Sequence, residues 1–534
     1  MSPTPVAAPS AASPASPASP LPRTRAERTS YLETSHYADV IQFLDSLKSL
    51  RAPLAFGSIG KTFEGRDIPY VIASRPLVHS PAEAKASGKP IVYVQGNIHA
   101  GEVEGKEALL ALLRDLAFAR GASVLDSIVL VAVPIYNADG NEKFGPQARQ
   151  RTEQNGPELV GTRANAQGLD LNRDYVKAEA PETRASLAMF DAWDPDVFVD
   201  LHTTDGSFHG YALTYSPSLT PAAPLGNYTR ELLAELRKRV RDRDGYETFD
   251  YGNFNDGNGR EVSTDTVHDG WYTYDHRPRF GTNYYGLRNR VAVLSEAFSH
   301  DPFERRVKST YAFTRELLSL IAERAKELKE RTARTPSMTV PRGLVATAVP
   351  IRAALPEHAP SQPVRYEILE RTGDSARTQP GLPRGIRRTG RFVTREMPVF
   401  DRFVSTLDRP VVGQYVISGR DTATLRRLAL HGVVAHRIVG LPRSLEEFVV
   451  DSVVRASRPF QGHLETRVFG AWRPASENAT ITDPYTVDAV AQPSLVMYLL
   501  DPESDDSVGT WDLFAAPLAP GVHPVRRVML RTLR

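Results

Sequence analysis

The chain has 534 residues, of which 41% are hydrophobic and 24% are charged, the composition of an ordinary globular protein. This length leaves room for two or more domains, each with its own core. The formal net charge is +2 and both signs are dispersed, so no basic block predicts a nucleic-acid or membrane-surface partner. The absence of cysteine excludes disulfides, cysteine-ligated zinc and thiol nucleophiles. No apolar run reaches the length of a transmembrane helix.

The first predicted segment, residues 1–29, consists mostly of Pro, Ala and Ser. Such a composition cannot bury a core, which predicts a disordered tail. The segment lacks the apolar stretch of a secretory signal peptide. Both the remnant of an exported start and a cytoplasmic extension remain open.

Residues 30–335 alternate short apolar runs with longer helical patterns, which predicts an α/β domain with a mixed, largely parallel sheet flanked by helices. The predicted strands are residues 91–96, 128–134, 197–201 and 291–295. The predicted helices are residues 102–118, 181–192, 224–240 and 303–333.

Residues 336–534 have a different composition, which is rich in Pro, Gly and β-branched residues. Short strand-like runs such as PVVGQYVIS and HLETRVFGAW alternate with turn residues, and one helix-like piece, TATLRRLALHG, interrupts them. This pattern predicts a mainly β accessory domain.

Polar side chains follow three of the apolar runs. His99 follows the first run, with Glu102 three residues later, while His202 and Glu296 follow the runs at 197–201 and 291–295. In open α/β sheets, ligands bind at the carboxyl ends of the strands, so the four groups are expected to meet at one edge. A single histidine or glutamate after a strand is more often structural, and Glu296 alone would read as a salt-bridged glutamate.

Zinc chemistry assigns roles to these groups. His99, Glu102 and His202 would hold one zinc ion and leave a coordination position open, which is the mark of a catalytic site. Glu296 would then be the unligated carboxylate that takes a proton from a zinc-activated water and passes it to the leaving amine.

The segment LDLNRDY contains a second polar cluster of Asp170, Asn172 and Arg173. The planar fork of arginine matches a carboxylate, and a neighbouring amide adds a donor. Outside a hydrolytic site, the tripeptide Asn172-Arg173-Asp174 would be a surface turn. His276 and His300 have no metal-ligand spacing and are predicted to lie at the surface.

The ordered set His99-x-x-Glu102, Asn172-Arg173, His202 and Glu296 resembles the zinc carboxypeptidase family of carboxypeptidase A-like metallopeptidases. The resemblance covers roughly residues 35 to 330, and larger bacterial members with a β-rich C-terminal domain look similar to the whole chain. It implies the same zinc ligands and the same general base. It also implies that Asn172 and Arg173 bind the C-terminal carboxylate of a peptide.

The resemblance implies further site residues. Asp170 would accept a hydrogen bond from the first zinc histidine. An arginine that polarises the scissile carbonyl is expected at Arg151, rather than Arg149. The tyrosine that covers the substrate is expected at Tyr274, in preference to Tyr272 and the pair Tyr284–Tyr285.

The sequence thus predicts a zinc-dependent metallocarboxypeptidase acting on peptides with a free C-terminal carboxylate. One alternative is a zinc amidohydrolase or deacylase acting on N-acyl amino acids or cell-wall peptides. The non-enzyme alternative is a catalytically inactive binding protein. The larger relatives are generally exported, which favours a periplasmic or secreted location.

Overall fold

The computed structural model describes residues 21–254, 269–333, 348–373, 382 and 385–529. Within these residues the helices are α1 (Arg25–Arg28), α2 (Tyr37–Ser49), α3 (Pro81–Ala86), α4 (Glu104–Phe118), α5 (Ala138–Glu142), α6 (Gln147–Gln150), α7 (Pro181–Trp193), α8 (Gly226–Asp244), α9 (Gly281–Leu287), α10 (Phe303–Glu323), α11 (Ala325–Ala333), α12 (Thr422–Leu430) and α13 (Pro493–Leu500). None of these helices combines the length and the apolar composition that a membrane crossing requires.

The strands of the same residues are β1 (Leu54–Lys61), β2 (Asp67–Ala73), β3 (Ile91–Gly96), β4 (Val129–Val133), β5 (Gly145–Pro146), β6 (Leu159–Val160), β7 (Val197–Thr203), β8 (Leu213–Pro217), β9 (Thr248–Asp250), β10 (Asn253–Phe254), β11 (Trp271–Tyr272), β12 (Val291–Ala297), β13 (Ala348–Ala354), β14 (Ser361–Arg371), β15 (Ile386–Phe400), β16 (Val404–Pro410), β17 (Val412–Ser418), β18 (Ala435–Arg437), β19 (Leu445–Arg455), β20 (Thr466–Pro474), β21 (Pro484–Asp488) and β22 (Gly521–Met529).

An eight-stranded sheet forms the centre of the N-terminal part, in the order β1-β2-β4-β3-β7-β12-β8-β9. Its inner strands β4, β3, β7 and β12 run parallel, whereas β1, β2 and β8 are added antiparallel. The four parallel strands are the four predicted apolar runs, and every residue in them is buried. The prediction of a mixed, largely parallel sheet is confirmed.

Helices cover both faces of this sheet. One face packs against apolar residues of α2, α4, α8 and α10, and the other packs against α7 and α9. The apolar cluster on the second face continues into residues of the C-terminal part, including α13. The predicted helix 303–333 is divided into α10 and α11 at Arg324, whose φ is −102°.

The C-terminal part is β-rich. It contains a six-stranded sheet of order β18-β21-β17-β22-β19-β20, and the predicted helix in TATLRRLALHG is α12. A second sheet, β10-β11-β15-β14, joins the two parts, because β11 pairs in parallel with β15. The predicted boundary at 335–336 lies outside the described residues and stays a prediction.

The chain start differs from the predicted tail of residues 1–29. Residues 1–20 lie outside the described residues, but residues 25–28 form α1, which begins with a capping box between Thr24 and Glu27. Glu27 also pairs with Arg114 of α4 at 2.7 Å. Local capping and this ion pair hold a segment that composition alone assigned to the tail.

Candidate active site

Three parallel strands bring the predicted ligands and base to one edge of the central sheet. In the register of β12 and β7, Glu296 lies directly opposite His202. His99 lies three residues beyond the end of β3, the strand on the other side of β7. A Cβ on Gly105 would lie 2.7 Å from the Cβ of Leu201, so the start of α4 lies close against β7. This close approach holds Glu102 beside His202.

The three predicted metal ligands form a compact, buried group. His99, Glu102 and His202 each offer one ligand atom, and these atoms lie within 4.8 Å of one another. Both imidazoles turn Nδ1 toward the Glu102 carboxylate, at 3.0 Å and 2.9 Å. Nε2 of His99 lies 3.0 Å from Asp170, and Nε2 of His202 lies 2.9 Å from Asp200. With Nε2 protonated toward these carboxylates, each Nδ1 keeps its lone pair for a metal, so the donor set fits zinc.

The charges around the ligands keep the carboxylates ionised. Burial would raise the pKa of Glu102, but His99 and Arg151 hold it well below its ordinary value. Burial likewise opposes ionisation of Asp170, and His99 and Arg163 lower the pKa of this carboxyl well below normal. A carboxylate must be deprotonated to act as a metal ligand, so this ionisation suits Glu102 to bind a divalent cation.

Glu296 lines the same cavity. Its Oε2 has no hydrogen-bond partner among the described residues. Burial raises the pKa of Glu296 well above its ordinary value, His202 opposes the rise, and Glu102 adds to it. A divalent cation held by the neighbouring ligands would lower this pKa again, since opposite charge favours the carboxylate.

The cavity at this edge has a volume of about 60 Å³, enough for a few water molecules. It is lined by His99, Glu102, Arg163, Asn172, Arg173, His202, Thr203, Asp205, Tyr251, Tyr274, Phe280, Leu294 and Glu296. The predicted ligands, base, Asn172, Arg173 and Tyr274 are all among them. Sequence reasoning missed the other lining residues; of these, only Asp205, three residues after His202, carried a signal in its position.

Arg173 and Asn172 form one wall of the cavity. The Arg173 guanidinium lies 3.7 Å from the centre of the Phe280 ring, and its Nη1 donates to the Asn172 carbonyl oxygen at 2.9 Å. The Asn172 side-chain oxygen accepts a hydrogen bond from the Gly281 backbone N–H at 2.8 Å. Among the described residues, no carboxylate oxygen lies within 4.0 Å of the Arg173 guanidinium. The arginine therefore presents charge to the cavity that an anionic ligand can neutralise.

The structure does not favour Arg151 as the arginine that polarises the substrate carbonyl. Arg151 is buried behind Glu102, and its guanidinium donates to Glu102 Oε1 and to two backbone carbonyl oxygens, of Thr203 and Thr204. Protein acceptors thus take its Nη1 and Nη2 donors, and Arg151 itself does not line the cavity. Arg149 is exposed. Besides Arg173, the arginine that lines the cavity among the described residues is Arg163, which also donates to Asp170 at 2.9 Å.

Tyr274 is the one predicted tyrosine that lines the cavity, where its ring packs 5.1 Å from that of Phe280. Tyr272 lies in β11 and stacks on Phe400. The pair Tyr284–Tyr285 is fully buried in the core beneath the sheet. The preference for Tyr274 therefore agrees with its position.

The remaining predictions concern histidines and a carboxylate. The surface prediction for His276 and His300 is wrong, because both are buried, His276 against Asp505 and His300 against Phe208. Asp170 contacts His99 as the resemblance implied. Asp200 contacts His202 as Asp170 contacts His99. Sequence reasoning missed Asp200 because it is a single polar residue within the apolar run at 197–201.

The fold and the site together combine a mixed α/β sheet with a buried His–Glu–His group that could hold a metal ion. A family model described as "Zinc carboxypeptidase" matches residues 40–286. This segment contains every predicted zinc ligand and the Asn172-Arg173 pair, while Glu296 follows ten residues after its end. The matched segment, a little under half of the chain, is therefore similar to a zinc carboxypeptidase domain, as the sequence motifs indicated.

Individual relatives match smaller parts of the chain. "Carboxypeptidase 2" of Trichophyton tonsurans is 31% identical over 144 residues, and "Carboxypeptidase Z" of Homo sapiens is 33% identical over 156 residues. Each alignment covers 27% of this chain and 23% or 22% of the relative. The chain thus spans less than a quarter of the length of these curated relatives. A solved metallo-carboxypeptidase from Burkholderia cenocepacia is 17% identical, covers 55% of this chain and 70% of its own, and has a TM-score of 0.41.

Proposed function

We propose that the chain is a zinc-dependent metallocarboxypeptidase that hydrolyses the C-terminal peptide bond of its substrates. The observation that carries this proposal is the position of Arg173. Its guanidinium has no carboxylate partner among the described residues, and it lines the same cavity as the His99–Glu102–His202 group and Glu296. A charge held in this way is satisfied by the free carboxylate of a chain end.

The residues divide the reaction between them. Arg173 and Asn172 bind the terminal carboxylate and so place the last peptide bond near the metal ligands. Zinc, when held by His99, Glu102 and His202, lowers the pKa of water and polarises the scissile carbonyl. Glu296 accepts the proton of the attacking water and delivers it to the leaving amine.

Two further residues complete the proposed mechanism. Arg163 lines the cavity and is 38% exposed, so its guanidinium can donate to the carbonyl oxygen as negative charge develops there. Tyr274 packs over the Phe280 ring and covers the carboxylate-binding wall. Asp170 and Asp200 hold the two histidines in the orientation that directs Nδ1 at the metal.

The decisive experiment compares wild type with Glu296→Gln in zinc content and in hydrolysis of dipeptides, their C-terminal amides and N-acyl amino acids. The variant should keep its zinc and lose turnover by about 10²- to 10⁴-fold, the usual contribution of general acid–base catalysis. Wild type should prefer the free carboxylate over the amide. Glu158→Gln, at an exposed position outside the cavity, is the matched control.

Each alternative has its own result. Faster cleavage of N-acyl amino acids than of dipeptides would identify a deacylase, and zinc binding without hydrolysis of any substrate would identify a binding protein. Persistence of activity in Glu296→Gln would remove Glu296 from the role of base. Export to the periplasm or medium stays a prediction, which cell fractionation checks.

A further inference from the structure

Two loops carry the carboxylate-binding wall, and both rest on the C-terminal part. The first loop, residues 172–179, contains Asn172 and Arg173, and the second, residues 274–281, contains Tyr274 and Phe280. We call them the clamp loops. The loops contact each other where Phe280 packs on Arg173 and where Gly281 N–H donates to Asn172.

The second clamp loop is held by a buried ion pair with the C-terminal part. The backbone N–H of Arg279 donates to Asp506 at 2.7 Å, and the Arg279 guanidinium lies 3.0 Å from the same carboxylate. Arg279 Nη1 also donates to Glu465 at 2.6 Å. Asp506 is fully buried and Arg279 is 4% exposed. Breaking a buried pair leaves an uncompensated charge, so these contacts strongly favour a single arrangement of the loop.

The same C-terminal segment reaches the first clamp loop through Trp511. The indole N–H of Trp511 donates to Asp506 at 2.9 Å. The Trp511 ring contacts two cations, with the Arg279 guanidinium at 4.3 Å and the Lys177 ammonium at 4.4 Å. Lys177 is itself buried and donates to the backbone oxygen of Arg173 at 2.7 Å. Asp506 and Trp511 therefore connect the two clamp loops, through Arg279 in the second loop and Lys177 in the first.

Three further residues of the C-terminal part also contact the clamp loops. His463 lies between the backbone oxygen of Trp511 and the carboxylate of Glu179, at 3.0 Å from each. Gln461 accepts a hydrogen bond from Lys177 at 3.2 Å. Asp505 contacts His276 in the second loop at 3.1 Å. The C-terminal part thus contacts the clamp loops at several points around the carboxylate-binding wall.

We infer that Asp506 is a positioning residue for substrate binding, which fixes Arg279 and so sets the Phe280 ring under the Arg173 guanidinium. Asp506 does not line the cavity and acts only through these residues. The C-terminal part is in this way a structural component of the carboxylate-binding site. The inference rests on the proposed function, because that function supplies the terminal carboxylate that the clamp loops would bind.

The test is Asp506→Asn, which keeps the shape of the side chain and removes its charge. KM for a dipeptide and Ki for the product amino acid should rise about tenfold, within the coupling energies of residues in one network. The value of kcat should change less than about twofold and the zinc content should stay constant, because the metal ligands have other partners. Asp421→Asn, a buried aspartate that contacts only the C-terminal part, should leave both constants unchanged.

A double-mutant cycle separates positioning from general destabilisation. In an Arg173→Met background, Asp506→Asn should no longer change KM or Ki, because the residue through which it acts is absent. An equal effect with and without Arg173 would overturn the inference. So would a thermally destabilised Asp506→Asn enzyme whose KM and Ki match wild type.

Trp511→Phe provides the second variant if Asp506→Asn fails to fold. The phenyl ring keeps an aromatic face for the two cations but loses the N–H donor to Asp506, so a smaller rise in KM is expected and an unchanged KM contradicts the inference. A wild-type chain that binds zinc without cleaving any peptide would refute the proposed function instead. The two failures are therefore distinguishable.

Discussion

The cavity has two ends that are built in different ways. We call the end with His99, Glu102, His202 and Glu296 the metal end, and the end formed by the clamp loops the clamp end. The metal ligands and Glu296 come from neighbouring parallel strands or the segments beyond them, and their partners Asp170 and Asp200 lie in the same part of the chain. The clamp loops instead depend on residues more than 180 positions away, above all Glu465 and Asp506. The metal end is thus a product of the sheet itself. The clamp end is a product of the contact between two parts of the molecule.

The largest effect is expected from Glu102→Gln at the metal end. Loss of the anionic ligand should reduce zinc to well below one ion per chain and kcat/KM by at least about 10³-fold, because metal-assisted hydrolysis depends on the ion. Arg151 would lose its buried carboxylate partner and keep Glu153, so the free energy of unfolding should also fall, by at most about 3–5 kcal/mol. Metal analysis and circular dichroism on the purified variant measure both, and a full zinc content would show that Glu102 is no ligand.

An intermediate effect is expected from Asp170→Asn, which acts mainly on the metal end, because an asparagine oxygen can still accept the hydrogen bond of the Asn172 backbone N–H. The His99 imidazole loses its anionic partner, so the zinc dissociation constant should rise about 10- to 100-fold. At saturating zinc, KM for a dipeptide should stay within about threefold of wild type, because Arg173 keeps its contact with Phe280. Competition with a chelator gives the zinc affinity. A large rise in KM with unchanged zinc affinity would contradict the separation of the two ends.

The smallest effect is expected at His431, which joins the C-terminal part to the first clamp loop. Its ring contacts the hydroxyl of Tyr284 at 2.8 Å and the backbone oxygen of Val176 at 3.1 Å. Burial lowers the pKa of His431 to about 3, and Arg288 and Arg427 contribute to the decrease. Below the ordinary histidine pKa of about 6.5, the unfolded chain binds a proton that the folded chain does not.

Stability due to His431 is therefore lost as the pH falls from about 6.5 toward 3, by about 2 kcal/mol at pH 5. In His431→Gln, the difference between the free energies of unfolding at pH 7 and pH 5 should shrink by up to that amount. Urea titrations at the two pH values measure it. The exposed His436→Gln serves as control, and an unchanged pH dependence in His431→Gln would show that His431 takes up its proton in the folded state.

The sequence predicted that the candidate metal ligands and Glu296 would lie together, for a physical reason. Buried parallel strands are continuous apolar runs, and polar residues at their carboxyl ends meet at one edge whatever the rest of the fold does. His99, His202 and Glu296 could be placed by that rule alone. Asp200 was within reach of the same reasoning, since alternation along β7 puts residues 200 and 202 on one face.

The clamp end could be predicted only in part. The Asn172-Arg173 pair has a local motif, but Arg279 and Asp506 are 227 residues apart and neither carries a spacing signal. The preference for Arg151 over Arg149 left out Arg163, the arginine that lines the cavity beside Arg173, for a related reason. A linear sequence shows which arginines are near the motif, but not which guanidinium is already occupied by Glu102.

The parallel pairing of β11 with β15 limits how this chain can be shortened or recombined. Trp271 and Tyr272 lie in register with Val399 and Phe400, so the strand that precedes Tyr274 has one edge completed by the C-terminal part. A fragment ending near residue 335 would expose that edge and leave Arg279 without its two carboxylates. The N-terminal and C-terminal parts therefore cannot be exchanged between proteins as independent modules. A transfer of the N-terminal part to another protein must include the C-terminal part.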